Sequence, residues 1–220
     1  KWLKLAGEQG NIQAQYILGL MYDEGEGVSQ DHYEAIKWYK LAAEQGDIDA
    51  QFTLGFNYRN GGGIPQDFQE AVKWYRLAAD QGSAKAQVNL GLMYSNGEGV
   101  PQDFQKTLKW YRLAADQGFA HAQYSMGIIF KDGKGVDQDF IKALDWFKLA
   151  AKQKFTPAEY NLGWMHENGK GVLQNYKLAI KWYQRAAEKG DAGAQNNLGT
   201  MYKNGNGVLK DQQEAVKWYR

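Results

Sequence analysis

Apolar and small positions recur along this chain at helical spacing, and the helical segments themselves recur every 36 residues. From Ala14 to Tyr22, the residues Ala14, Leu18, Met21 and Tyr22 stand at i, i+4, i+7 and i+8, one face of a helix. The run Glu24-Gly25-Glu26-Gly27-Val28-Ser29-Gln30 ends that pattern, because paired glycines supply turn conformations that other residues resist. Asp31 opens a second helix, and Asp31 with Glu34 has the spacing of a capping box, as do Asp67/Glu70 and Asp211/Glu214. Ala35, Trp38, Tyr39, Ala42 and Ala43 give this second helix its apolar face, and Gly46 closes it with a left-handed C-terminal residue.

The repeat is exact in spacing. Trp stands at 2, 38, 74, 110, 146, 182 and 218, and a single glycine at 19, 55, 91, 127, 163 and 199. Paired glycines follow from Gly25/Gly27 to Gly205/Gly207 at the same interval. A lone helical hairpin cannot bury its apolar face, so neighbours must stack, and the chain is expected to be an all-α solenoid of about six 36-residue hairpins. We expect one array over residues 1–220, with units 11–46, 47–82, 83–118, 119–154, 155–190 and an incomplete 191–220. Residues 1–10 read as the close of a preceding unit, and the pattern as a piece of a longer array or one with trimmed ends. Gly19 and Ala42 allow close backbone approach, while Trp38 and Tyr39 fill the gaps. At one joint Lys154 replaces the closing glycine, with Thr156 and Pro157 expected as N-cap and first helical residue.

Composition narrows the function classes. Lys and Arg total 26 against 25 Asp and Glu, a net charge of +1, which argues against a nucleic-acid-binding domain and an anionic membrane surface. No apolar run approaches the roughly 18 residues of a membrane span. Cysteine is absent, which excludes disulfides, cysteine-based metal sites and thiol catalysis. His32, His121 and His166 fall at three different phases of the repeat, unlike a metal-ligand set. No serine lies in a Ser-x-x-Lys or Gly-x-Ser-x-Gly motif, and the carboxylates are expected on solvent-facing or capping positions. The Gly-x-Gly loops recur six times without a following Lys-Ser/Thr, so they read as turns and not as phosphate cradles.

Three stretches carry a family resemblance: Ala86 to Tyr94 (AQVNLGLMY), Gly97 to Asp103 (GEGVPQD) and Lys109 to Gly118 (KWYRLAADQG). They resemble the Sel-one-like repeat (SLR), a relative of the tetratricopeptide repeat, and the likeness recurs in every unit. The resemblance implies antiparallel helix pairs in a right-handed α-α superhelix and adaptor roles. It also implies a bacterial protein, exported, periplasmic or cytoplasmic. One cysteine-rich bacterial branch has been linked to β-lactam binding, and this chain lacks those cysteines.

Core positions keep their residue type from unit to unit, while a stripe at i, i+4 and i+7 of each first helix changes. Tetratricopeptide-like stacks place the corresponding face along a concave groove. The stripe comprises Tyr16, Leu20 and Asp23; Phe52, Phe56 and Arg59; Val88, Leu92 and Ser95; Tyr124, Ile128 and Lys131; Tyr160, Trp164 and Glu167; Asn196, Thr200 and Lys203. Its aromatic and aliphatic members from Tyr16 to Trp164 are the expected seat of a protein or peptide partner, with Phe56 and Trp164 as anchors. The alternative is that these side chains pack mostly against the adjacent unit. The sequence thus reads as a non-enzymatic interaction scaffold with no cofactor or metal. The competing readings are a cell-wall glycan or small-ligand protein, hydrolytic like the β-lactam-linked relatives, and an array that self-associates end to end through uncapped termini.

Overall fold

The computed structural model describes residues 1–220. Thirteen helices occupy the chain and no strand is present. In order they are α1 (Trp2–Glu8), α2 (Ile12–Glu24), α3 (His32–Glu44), α4 (Ile48–Asn60), α5 (Phe68–Asp80), α6 (Ala84–Asn96) and α7 (Phe104–Asp116). They continue as α8 (Ala120–Asp132), α9 (Phe140–Lys152), α10 (Thr156–Asn168), α11 (Tyr176–Ala187), α12 (Ala192–Asn204) and α13 (Gln212–Trp218). The all-α repeat architecture read from the periodicity is therefore present. The helices gather into two compact units, Lys1–Ala114 and Ala115–Arg220, each with its own stacked hairpins.

Each boundary follows from local chemistry. Asn11, Asp47, Ser83 and Asp191 cap α2, α4, α6 and α12 by accepting the N–H three residues on. Gly25, at φ 74°, then ends α2 in the left-handed conformation that glycine adopts freely, and Gly61 does the same for α4. The expected capping boxes form by half. Asp31 Oδ1 accepts the Glu34 N–H at 3.0 Å, but the Asp31 N–H donates to Tyr22 O at 2.9 Å, clamping the two helices of the hairpin together. Glu34 instead pairs with Lys37, and Glu70 accepts from the Trp74 Nε1–H at 3.0 Å.

The hairpins close on a glycine and an aromatic ring. A Cβ added to Gly55 would lie 2.6 Å from the Tyr75 ring, and one on Gly163 2.6 Å from Tyr183. The same pairing recurs as Gly19–Tyr39, Gly91–Tyr111, Gly127–Phe147 and Gly199–Tyr219. The ring thus lies directly on the helix backbone, and any side chain at the glycine would push it off. In the first, fourth and fifth hairpins the residue after the tryptophan is the deeper anchor, while Trp74 is buried too, Trp110 and Tyr111 are equally buried, and Tyr219 is exposed. Tyr39, Tyr75, Phe147 and Tyr183 are fully buried, whereas Trp38, Trp146 and Trp182 are only half-buried.

Stacking from one repeat to the next uses glutamine. Gln51 donates to Ala43 O at 3.0 Å and accepts from Gln81 Nε2 at 2.8 Å, so one buried amide ties three successive helices. Gln15 with Gln45 and Gln123 with Gln153 repeat the arrangement. At the fifth repeat Glu159 and Lys189 replace the glutamines. The expectation that carboxylates sit only on solvent-facing or capping positions therefore fails at Glu159, which is 0% exposed. Its Oε2 lies 2.6 Å from Lys189 Nζ, and Arg185 Nη2 stands 2.7 Å from Oε1. Two cations offset the desolvation of one carboxylate, which is why the charge is tolerated there.

The neighbouring joint corrects a second expectation. Phe155, not Thr156, is the N-cap of α10 and makes no side-chain cap bond, while Thr156 and Pro157 lie within the first turn. Phe155 occupies the register held by Asn11 and Asp47 elsewhere, and its ring packs on Tyr124 at 5.4 Å. Lys154 keeps the left-handed turn with φ 62° despite its side chain.

Three outcomes follow. Gly55→Ala should lower stability by about 2 kcal/mol in urea unfolding, because the methyl group overpacks the Tyr75 contact. Lys154→Gly should raise stability by about 1 kcal/mol in the same assay, by relieving the left-handed strain. Lys189→Gln alone should destabilise by about 2 kcal/mol, while the Glu159→Gln, Lys189→Gln double variant should return to within about 1 kcal/mol of the parent. Additive losses in that double-mutant cycle would sink the idea that the two residues replace the glutamine pair as a unit.

Candidate functional site

The structure divides the variable stripe by depth. At its first position, Tyr16, Phe52, Tyr124 and Tyr160 are half-buried and Val88 is buried. Each of those four rings lies 5.8 Å from the aromatic that closes its own hairpin: Tyr16 on Tyr39, Phe52 on Tyr75, Tyr124 on Phe147, and Tyr160 on Tyr183. Tilted rings at this separation attract one another, so these residues extend the core. Burial is also the main cause that raises the Tyr16 and Tyr124 hydroxyl pKa values.

The second position is more open. Phe56 is 50% exposed in the middle of α4, between buried Gly55 and buried Asn57. Leu20, Leu92 and Ile128 are half-buried, and Leu20 and Ile128 rest on the adjoining core. Trp164 is half-buried too; its ring meets Phe140 at 6.4 Å and has Lys131 Nζ 5.7 Å from its centre. Trp164 is thus partly committed to packing and a cation–π contact, whereas Phe56 presents most of one face.

At the third position Asp23 and Glu167 engage their own repeat, while Arg59 and Lys131 reach into the next. Asp23 accepts from the Tyr39 hydroxyl at 3.3 Å and lies 2.8 Å from His32 Nδ1. Glu167 accepts from the Tyr183 hydroxyl at 2.7 Å. Arg59 donates from Nε to Glu98 Oε2 at 2.9 Å, and Asn96 donates to the other Glu98 oxygen at 2.8 Å. Burial acts to raise the Glu98 carboxyl, but the Arg59 and Asn96 hydrogen bonds outweigh it and hold the pKa below the usual value. Burial pushes Tyr111 up to about 12, with the Arg59 charge working against it. Lys131 lies 3.4 Å from Asn161 Oδ1 and 3.6 Å from Asp132.

In the first compact unit the stripe therefore brings Arg59 to Glu98, with Phe56 about one turn earlier on the helix that carries Arg59. In the second it brings Lys131 over Trp164, with Asn161 alongside. The importance of Glu98 and Tyr75 was missed in the sequence. Glu98 sits in a turn read only as a breaker, and Tyr75 in a register read only as filler. No helix is long and apolar enough to cross a membrane.

Comparison with known proteins agrees with this geometry. A crystal structure of c5321, a protective antigen present in uropathogenic Escherichia coli strains displaying an SLR fold, matches with a TM-score of 0.94 at 37% identity. That match covers 100% of this chain and 47% of the other, so the chain spans about half the length of that relative. A Sel1 repeat protein from Oxalobacter formigenes matches with a TM-score of 0.85 at 35% identity, over 96% of this chain and 84% of that one. A putative Sel1 repeat protein from Klebsiella pneumoniae shares the fold at a TM-score of 0.55 and 24% identity, covering 91% of this chain and 98% of its own. Among curated proteins, none matches the chain. The family model for the Sel1 repeat matches residues 1–11, 12–47, 48–83, 84–119, 120–155, 156–191 and 192–220, and the chain belongs to the Sel1 repeat family.

Proposed function

We propose that this chain is a non-enzymatic scaffold whose first-helix stripe receives an extended segment or a helix of a partner protein. Sel1 repeat proteins are typically protein-interaction scaffolds and bind protein partners, which supports the class. The carrying observation is Phe56. An aromatic ring is held half in water at mid-helix, on a hairpin fixed by the Gly55–Tyr75 contact, with a charged residue one turn further on. A rigid apolar anchor beside a polar rim loses little conformational entropy on binding and is the arrangement typical of interface hot spots.

In the first compact unit the half-buried Leu20 and Leu92 supply further apolar surface, and in the second, taken by itself, Ile128 and Trp164 do. Arg59 and Lys131 fix register and orientation. The first-position residues Tyr16, Phe52, Val88, Tyr124 and Tyr160 act mainly by holding their neighbours in place.

The test is affinity for a partner captured with the parent chain. Phe56→Ala should weaken binding by about 2 kcal/mol, roughly 30-fold in Kd by calorimetry. Its thermal unfolding should stay close to that of the parent, since the ring contributes little to the core. Unchanged affinity together with an intact fold would remove the stripe as the binding surface.

A further inference from the structure

Between the second and third repeats, inside the first compact unit, a cavity of about 300 Å³ is lined by Arg76, Asp80, Tyr94, Lys106, Lys109 and Trp110. Five of these stand on the second helices α5 and α7, and none belongs to the stripe. Tyr94 and Trp110 are buried and supply an aromatic wall, while the charged residues are exposed. Arg76 Nη2 donates to the Tyr94 hydroxyl, and Lys106 Nζ stands 5.0 Å from the centre of the Tyr94 ring. Lys109 Nζ stands 5.0 Å from the centre of the Trp110 ring. Three cations thus share one opening with Asp80, and Lys106 also pairs with Asp103 at 3.3 Å.

The preceding joint shows what such a place holds. The same register there reads Lys40, Glu44, Tyr58, Glu70, Lys73 and Trp74. Lys40 Nζ again stands beside the tyrosine, 5.5 Å from its ring centre. The Glu70 carboxylate accepts the Trp74 Nε1–H at 3.0 Å and takes Lys73 Nζ at 3.2 Å. In the third repeat Lys106 stands at the register of Glu70, so a cation replaces the acceptor of the tryptophan. Asp67 and Asp103 cap both second helices alike and leave the comparison unchanged. Lys40 and Lys73 are balanced by Glu44 and Glu70, whereas Arg76, Lys106 and Lys109 face Asp80, an excess of two positive charges.

A carboxylate returns one of those charges. A phosphate monoester carries about −1.5 to −2 near neutral pH and presents three strong acceptor oxygens. Arginine has five N–H donors and lysine three, so the bond to Tyr94 leaves Arg76 with donors to spare.

We infer that the cavity between Arg76, Lys106 and Lys109 binds the phosphate group of a small phosphate monoester, in the place that the Glu70 carboxylate holds one repeat earlier. Its oxygens accept from the Arg76 guanidinium, the two ammonium groups and the Trp110 Nε1–H, and the organic part leaves through the opening. The site is separate from the stripe and does not depend on it.

The experiment is an NMR titration of the whole chain with phenyl phosphate, followed at the Trp110 indole N–H resonance, which Trp110→Phe identifies by its loss. Inorganic phosphate tests whether the free anion suffices, and benzoate offers the same ring with a single negative charge. Phenyl phosphate should shift the resonance saturably, whether or not inorganic phosphate also does. Benzoate should bind about tenfold more weakly, the worth of one charge-assisted hydrogen bond. Lys106→Glu rebuilds the arrangement of the second repeat, so it should keep the fold and abolish the shift. Lys109→Gln should weaken binding about tenfold. Lys85→Glu alters the net charge as much as Lys106→Glu does, on the exposed side of α6 outside the cavity, and should leave the affinity within about twofold. A Trp110 resonance that ignores phenyl phosphate, benzoate that binds as tightly, unchanged affinity in Lys109→Gln, or equal losses in Lys106→Glu and Lys85→Glu would each overturn the assignment.

Discussion

The contact that everything else depends on is an aromatic ring laid against a helix backbone at a glycine. It sets the distance between the two helices of each hairpin and fixes which faces are left over. Gly55 and Tyr75 illustrate it: the ring occupies the space in which any Cβ would sit. Because the contact is short-range and steric, it tolerates neither a larger residue at the glycine nor a smaller one at the ring. The remaining positions are then free to vary without loss of the hairpin, which is how one architecture carries a changing stripe.

Between hairpins, polar contacts join apolar packing such as that of Ala78 and Ala79 with Ala86 and Leu90. A buried glutamine amide donates to a carbonyl at the end of the preceding helix, which also accepts the turn glycine N–H, and accepts from the next glutamine. The Glu159, Lys189 and Arg185 cluster is the same joint rebuilt with charge. Its stability depends on partners that change together, as expected of one network and not of independent contacts. The turn glutamines add a further layer: Gln66 donates to Arg59 O at 2.6 Å and Gln102 to Ser95 O at 2.7 Å, each covering an end carbonyl of a first helix.

Much of this was legible in the residues. A strict 36-residue spacing of Trp and Gly, with breakers between helical stretches, leaves few alternatives to stacked hairpins. Boundaries were legible where a single side chain determines them, as at Asp31 or Gly25. They were misread at Thr156, because Thr-Pro is good capping chemistry locally while the repeat register places Phe155 at the cap. Periodicity also could not rank Trp38 against Tyr39, since both lie on the apolar face and only the glycine opposite selects the deeper one. The candidate site was legible as a stripe but not as a set of distinct depths. Whether Tyr16 opens to solvent depends on the Tyr39 ring beside it, and Arg59 is known only once Glu98 is placed beside it in space.

The most direct check on the glycine–aromatic closure is a nuclear Overhauser experiment on the labelled protein. The account predicts cross-peaks from the Hα protons of Gly19, Gly55, Gly91, Gly127, Gly163 and Gly199 to the ring protons of the aromatic twenty residues later in each case. Absence of these cross-peaks in folded protein, or their appearance on the neighbouring tryptophans instead, would contradict it.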